Sequence, residues 1–353
     1  MSQKIDDLDK AARGEKPERV PVVLWNKGPI NAEYGGVTVD QYYSSLEVAL
    51  RAQIAFQEEY PSAILIPGLL PDLGPVVEAS AFGCSVIQPQ GQSPFAMPCM
   101  SIKDASGLRP PDPNKDGLMP KMLEGWRYLW ETVPKKYVDE YGYLDGCAST
   151  FGPMETAAQV LGYDQFFIAL YDHPKLVHQL LDVITDGMIA YVNAQAKING
   201  PIKRVTVTDH VAGQISAEHF REYGLPYLQR LFQAFPDAIT IYHNEADIKH
   251  VLPFLPELDF TVYHMGLEVG GDYAEGVALA RRTLGNRCLM GNVHSQEHLL
   301  WGTRELVYQE SLRQLDAGAK DGAMWLSVRG GFAPGTPRAN IHAMIQAAED
   351  WSG

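Results

Sequence analysis

The chain has 353 residues, with 29 Lys and Arg against 43 Asp and Glu, a formal net charge of −14. That surplus argues against nucleic acid or an anionic membrane as partners, since both are held by a basic face. A hydrophobic fraction of 46% and a charged fraction of 20% belong to a folded globular chain and not to a disordered one.

No apolar run reaches the length of about 18 residues that a membrane span needs. The polar, acid-bearing N-terminus does not read as a secretory signal. Cys84, Cys99, Cys147 and Cys288 are scattered and form no CxxC pair. Neither a zinc ribbon nor a disulfide scaffold is signalled, and a reduced, cytoplasmic compartment is expected.

In chain order, Val20–Trp25 is the first of eight short apolar, β-branched-rich runs. An amphipathic helix over Leu46–Glu59 precedes the second run, Ala63–Pro67. A proline-rich stretch from Pro71 to Pro113, with Gly74, Gly83 and Gly91, then reads as an elaborated loop with short helices over one end of the fold. The third run is Tyr143–Ser149. A long helix over Lys175–Ile198 enters through Asp172-His173-Pro174, and Val205–Asp209 follows it. Ser216 is the expected N-cap of a helix over Ala217–Phe235. Next come the runs Ile239–His243 and Phe260–His264, a helix over Tyr273–Leu284, and the run Cys288–Val293. A helix over His298–Ala317, the run Met324–Val328 and a helix over Arg338–Trp351, led by Pro337, close the series.

Continuous apolar runs mark strands buried on both faces. Their alternation with helices predicts an α/β protein, a single (β/α)8 TIM barrel over residues 1–353 with an elaborated loop region after strand two. No internal repeat or linker divides the chain.

Active sites of such barrels lie at the C-terminal strand ends. Here those ends read Trp25-Asn26-Lys27, Ser149-Thr150-Phe151, Asp209-His210, His243-Asn244-Glu245, Tyr263-His264, Asn292-Val293-His294 and Arg329-Gly330-Gly331. Asp209, His243, Glu245, His264 and His294 thus meet at one mouth as a His/carboxylate cluster. Such donors suit a divalent metal, with zinc the usual occupant. His243 and Glu245, two apart on one strand, point the same way. His210 and Asn244 alternate away and read as packing against helices, while His294 has a second reading as a helix cap. Trp25, Asn26, Phe151, Tyr242, Met265 and Phe332 are candidate substrate-binding residues, with ordinary barrel packing as the alternative. Arg329 is a candidate anchor for a carboxylate or phosphate of a ligand, or else a structural ion-pair partner.

Several segments resemble the uroporphyrinogen decarboxylase superfamily, in the right order and over nearly the whole chain. Glu78-Ala79-Ser80-Ala81-Phe82-Gly83-Cys84 is similar to its E-A-x-A-x-G-C stretch. Gly152-Pro153-Met154-Glu155-Thr156 with Leu161-Gly162-Tyr163 is similar to its G-P-x-T segment and following helix. Ile215 to Phe220 resembles its I-S-P-x-x-F helix start, and Gly291-Asn292-Val293 its G-N-V strand end. Gly331 to Pro337, with Asn340, resembles its G-x-x-P-x-T-P-x-x-N motif.

The resemblance implies a (β/α)8 barrel. The family's decarboxylases carry an arginine-rich stretch after strand one. Here Val22 to Pro29 holds Lys27 and no arginine, which points away from a polycarboxylate substrate. The other branch holds corrinoid-dependent methyltransferases. Those acting on thiols bind zinc through H-x-C and a last-strand cysteine. In this chain Glu245 stands at the first cysteine position and Gly330 at the second, and His264 lies near the position of a further acidic ligand. The resemblance therefore implies zinc on His243, Glu245 and His264, with Asp209 and His294 as candidate proton donors. The implied reaction is demethylation of a small methyl donor such as a methoxylated aromatic, with methyl transfer to the Co(I) of a separate corrinoid (cobalamin) protein. A monomer or homodimer is expected. The alternatives are methyl transfer from a corrinoid protein to a thiol or tetrahydrofolate, a uroporphyrinogen-type decarboxylase, and a non-catalytic corrinoid- or tetrapyrrole-binding protein.

Overall fold

The computed structural model describes residues 2–320 and 322–353. Among them ten strands form: β1 (Val22–Trp25), β2 (Ile64–Ile66), β3 (Val86–Ile87), β4 (Phe95–Ala96), β5 (Cys147–Phe151), β6 (Arg204–Thr208), β7 (Ile239–Asn244), β8 (Val262–Met265), β9 (Cys288–His294) and β10 (Met324–Arg329). β3 and β4 make a small antiparallel hairpin. The other eight form one parallel sheet in the order β2-β1-β10-β9-β8-β7-β6-β5. The crossovers carry helix or 3₁₀ turn on the outer face, the inner face packs on itself, and nearly every strand residue is buried.

The strand order is that of a TIM-barrel-like fold. The end strands β2 and β5, however, share no ladder among the described residues. Tyr143 bridges that gap: its hydroxyl accepts from the Leu65 amide at 2.7 Å and donates to Gln57. The run expected from Tyr143 becomes strand only at Cys147. Gly142, Leu144 and Gly146 all take positive φ of 67–68°, outside the extended region.

The helices Leu46–Glu59 and Tyr273–Leu284 form where the pattern predicts. Ser216 caps its helix, accepting from the His219 amide at 3.2 Å. The helix beyond it is interrupted by a π turn over Phe220–Gly224 before continuing as Leu225–Gln233. Pro226 has no amide to give to Glu222, so the regular ladder breaks there. The helix expected over His298–Ala317 also divides. A π turn covers Ser295–Leu300, and a new helix, Arg304–Gly318, starts from Thr303, whose hydroxyl accepts from the Leu306 amide at 3.2 Å. Between β2 and β5 lie the β3–β4 hairpin, the helices Val77–Ala81, Met119–Thr132 and Lys135–Tyr141, and a 3₁₀ turn over Ile102–Gly107. Among the described residues no helix is long and apolar enough to cross a membrane.

Candidate active site

A cavity of about 550 Å³ opens at the C-terminal strand ends. Trp25, Asn26, Phe151 and Phe332 line it, as do Tyr43, Tyr163 and Tyr191. The segment 67–78 after β2 supplies much of one wall. Lys27 is the lysine of the lining, which holds no arginine among the described residues.

At its floor three side chains converge: His210, His243 and Glu245, each offering a donor atom within 4.8 Å of the others. His243 is the deepest. It is fully buried at the end of β7, its ring stacked on Trp25 at 4.0 Å and 15°. Burial, then the neighbouring His264, His210 and Lys27, hold its pKa well below the usual imidazole value. Its Nε2 stands 3.9 Å from Glu245 Oε2.

His210 leaves β6 in a turn with αR backbone (φ −95°, ψ −12°). That turn swings its ring against His243, with centroids 5.0 Å apart. Glu155, in the first turn of the helix Pro153–Leu161, accepts from the His210 amide at 2.9 Å and faces Nδ1 at 3.7 Å. Burial pulls the His210 pKa down, but the Glu155 carboxylate outweighs it and the net shift is upward. Burial likewise pushes Glu155 up, and His210 and the Tyr163 hydroxyl bonded to it bring it below the usual value. The outward nitrogen of His210, Nε2, is buried with no partner, as is Glu245 Oε2. A carboxylate behind a histidine with a bare outer nitrogen is the usual support of a metal ligand. These are imidazole and carboxylate donors, and the set fits zinc.

Glu245 is partly exposed and meets Lys27 Nζ at 3.8 Å through its other oxygen. The backbone of Gly330 makes room for it: a Cβ there would fall 1.7 Å from Oε2, and the residue sits at φ +68°. Glu245 thus fills the space that a side chain at position 330 would occupy.

The remaining candidates lie elsewhere. His264 is paired in register with His243 across β7 and β8. Both its nitrogens are engaged, Nδ1 with His243 Nδ1 at 2.7 Å and Nε2 with the Val328 carbonyl at 2.9 Å. The expected ligand is therefore behind the cluster, and His210, read from alternation as packing, takes the third place. His294 is the helix cap of its second reading: Nδ1 accepts from the Gln296 and Glu297 amides at 3.2 and 3.0 Å. Arg329 lies beside it in register, with its guanidinium over Tyr273 at 5.7 Å and Nη2 donating to the Glu245 backbone carbonyl at 3.5 Å, outside the cavity lining. Tyr242 packs against Phe232, Phe260 and Tyr263, and Met265 against the backbone at Gly291; neither lines the cavity. Lys27 and Glu155 were not singled out from the sequence as site residues. Lys27 follows the end of β1, and Glu155 lies within the segment similar to the family's G-P-x-T stretch.

Asp209 is fully buried behind the cavity wall. Oδ2 accepts from the Met154 and Glu155 amides at 3.2 and 3.4 Å, and Oδ1 has no partner. Burial, then the charge of Glu155, raises its pKa from 3.8 to about 7. The folded protein therefore keeps a proton that the unfolded chain releases. In the metal-free protein this group makes stability fall as pH rises from about 4 to about 7 and leaves it level above. Asp209→Asn, which keeps an oxygen for the two amides, is expected to remove that fall, roughly 4 kcal/mol over the interval. Urea melts of parent and variant across this range check it; parallel curves refute it.

A parallel TIM-barrel-like sheet with a His/Glu cluster and a large aromatic-lined cavity at its C-terminal edge defines a catalytic-site class of the α/β barrels. The chain belongs to the uroporphyrinogen decarboxylase (URO-D) family, whose model matches residues 3–351. Among its relatives is the methylcobamide:CoM methyltransferase MtaA of Methanosarcina barkeri, 26% identical and covering 97% of this chain and 96% of that one. Another is the uroporphyrinogen decarboxylase of Anaeromyxobacter sp. (strain Fw109-5), 22% identical over 96% of each chain. A solved methyltransferase from Methanosarcina mazei shares the fold, with a TM-score of 0.81 at 22% identity and 99% coverage of both chains.

Proposed function

We propose that the protein is a cytoplasmic, corrinoid-dependent methyltransferase that demethylates a methoxylated aromatic and delivers the methyl group to the Co(I) of a corrinoid on a separate protein. The observation that carries the reading is the pair of buried, partnerless donors, His210 Nε2 and Glu245 Oε2, beside His243 Nε2 at the cavity floor. These three residues would hold zinc. Bound there, zinc supplies Lewis acidity that lowers the basicity of a departing oxygen.

The chain's own residues do the rest. Trp25, Phe151 and Phe332 offer flat apolar faces to an arene, which fixes the ether carbon toward the mouth. Lys27 places a positive charge beside the floor, where a leaving phenolate gathers negative charge. Glu155 and Asp209 act as positioning residues: Glu155 braces His210, and Asp209 ties down the helix start that bears Glu155. A cavity of about 550 Å³ suits an arene-sized donor better than methanol. One lysine among the lining residues is too little positive charge for a porphyrinogen with several carboxylates, which disfavours the decarboxylase reading. The lack of a thiolate ligand disfavours thiol methylation, since a carboxylate/imidazole site is the stronger Lewis acid.

The test pairs metal analysis with turnover. The purified protein is expected to carry about one zinc per chain. With a Co(I) corrinoid protein it should consume methoxylated aromatics and release the phenol. Methylation of a thiol from methyl-Co(III), with no ether cleavage, would replace this reading. Binding of a corrinoid without turnover in either direction would point to the binding-protein alternative.

A further inference from the structure

We propose that His264 is a positioning residue which fixes the tautomer of His243 and so aims a lone pair from His243 Nε2 at the space between His210 and Glu245. The inference rests on the reading of that trio as a metal site. It begins from a group that has no choice: the Val328 carbonyl can only accept. His264 Nε2, 2.9 Å away, must carry the hydrogen. In a neutral ring the other nitrogen, Nδ1, then holds a lone pair. His243 Nδ1 lies 2.7 Å from it and must be the donor. With its proton on Nδ1, His243 has a bare Nε2, and that atom is the one standing 3.9 Å from Glu245 Oε2.

The reverse order would put a hydrogen on His243 Nε2. It would then point a hydrogen at the Glu245 carboxylate and leave no lone pair for a metal. The backbone carbonyl at the far end of the chain of bonds rules that order out. Both rings are fully buried, so water cannot replace either bond. Trp25 clamps the pair from one side, stacked on His243 and tilted against His264 with centroids 4.8 Å apart. Strand register supplies the placement, since β7 and β8 set His243 directly beside His264. The relay thus runs from β10 through β8 to β7, and His264 serves the site without touching its occupant.

The direct test needs neither metal nor turnover. Long-range ¹H–¹⁵N spectra of the metal-free, ¹⁵N-labelled protein report which ring nitrogen is protonated. The expected pattern is Nδ1–H for His243 and Nε2–H for His264, with the signals assigned by single substitutions. The opposite pair of tautomers overturns the proposal.

A second test reads zinc affinity by chelator competition. His264→Leu removes the acceptor and should weaken zinc by about 10- to 100-fold, as loss of an outer-shell partner does. His264→Asn presents an amide oxygen near the position of Nδ1 and should retain most of the affinity. Equal losses in both variants, with unchanged circular dichroism, would reduce His264 to packing. A parent that binds no zinc refutes the metal reading instead, and the tautomer spectra still decide the relay.

Discussion

Replacing His243 with alanine is expected to abolish zinc binding and methyl transfer while leaving the sheet folded. His243 is the member of the trio that both neighbours face, with His210 edge-on at 5.0 Å and Glu245 at 3.9 Å. Removing it leaves two donors, too few for a stable catalytic zinc site. Outer-shell losses already cost about 10- to 100-fold, so the loss of a ligand should exceed about 100-fold in transfer. The fold survives because the ring lies at the cavity floor near the end of β7, where the ladders to β6 and β8 are made by the backbone. The exposed face of Trp25 and the unpaired His264 Nδ1 should together lower stability by about 1–3 kcal/mol. Mass-spectrometric metal content, a thermal melt and a transfer assay check the three parts. A variant that keeps full activity would remove His243 from the site.

The second large effect is expected at Gly330. Gly330→Cys places a side chain where the Glu245 carboxylate lies, at a positive φ that L residues rarely take. The carboxylate must leave, so zinc content and ether cleavage should both collapse, with about 1–3 kcal/mol of backbone strain added. Shortening the opposing side chain relieves the clash. Glu245→Cys alone should keep zinc and slow ether cleavage, because thiolate donation makes the metal a weaker Lewis acid. The double variant, Glu245→Cys with Gly330→Cys, should regain zinc that Gly330→Cys lost. That rescue is a non-additivity only neighbouring residues show. Additive losses would mean that the two positions do not share one space. Faster ether cleavage in Glu245→Cys would defeat the Lewis-acid argument.

The course of the strands was legible because buried parallel strands announce themselves as unbroken apolar runs, and all eight run positions became strands of the one sheet. The convergence of His243 with Glu245 was legible as well, since two-residue spacing at a strand end puts side chains on one side. The rest turned on geometry that spacing does not encode. Alternation pointed His210 outward, but β6 ends at Thr208 and the αR turn at His210 reverses that rule. His264 carries a ligand's chemistry, yet its register beside His243 spends both nitrogens on neighbours. His294, Arg329 and Met265 close their strands and Tyr242 lies near the end of β7, yet none of the four lines the cavity. Which face a strand-end residue shows depends on how its strand leaves the sheet.

The missing ladder between β2 and β5 gives the molecule the mechanics of a split ring. Seven ladders resist any change in circumference, while side chains hold the eighth junction: Tyr143 against the Leu65 amide, Tyr141 donating to the Pro61 carbonyl at 3.1 Å, and Glu78 accepting from the Phe151 amide at 3.0 Å. Spreading the ring there costs these side-chain hydrogen bonds, about 1 kcal/mol each, and the packing of Leu65, Ile66, Tyr143 and Ala148, instead of a strand pairing. The segment 67–78 lies on one side of the split and residues 149–151 on the other, and both line the cavity. Spreading therefore enlarges the chamber between them. His210 and His243 stand on the adjacent, laddered strands β6 and β7 and keep their spacing. A bulky guest is expected to strain the gap first, while the reactive corner holds its shape.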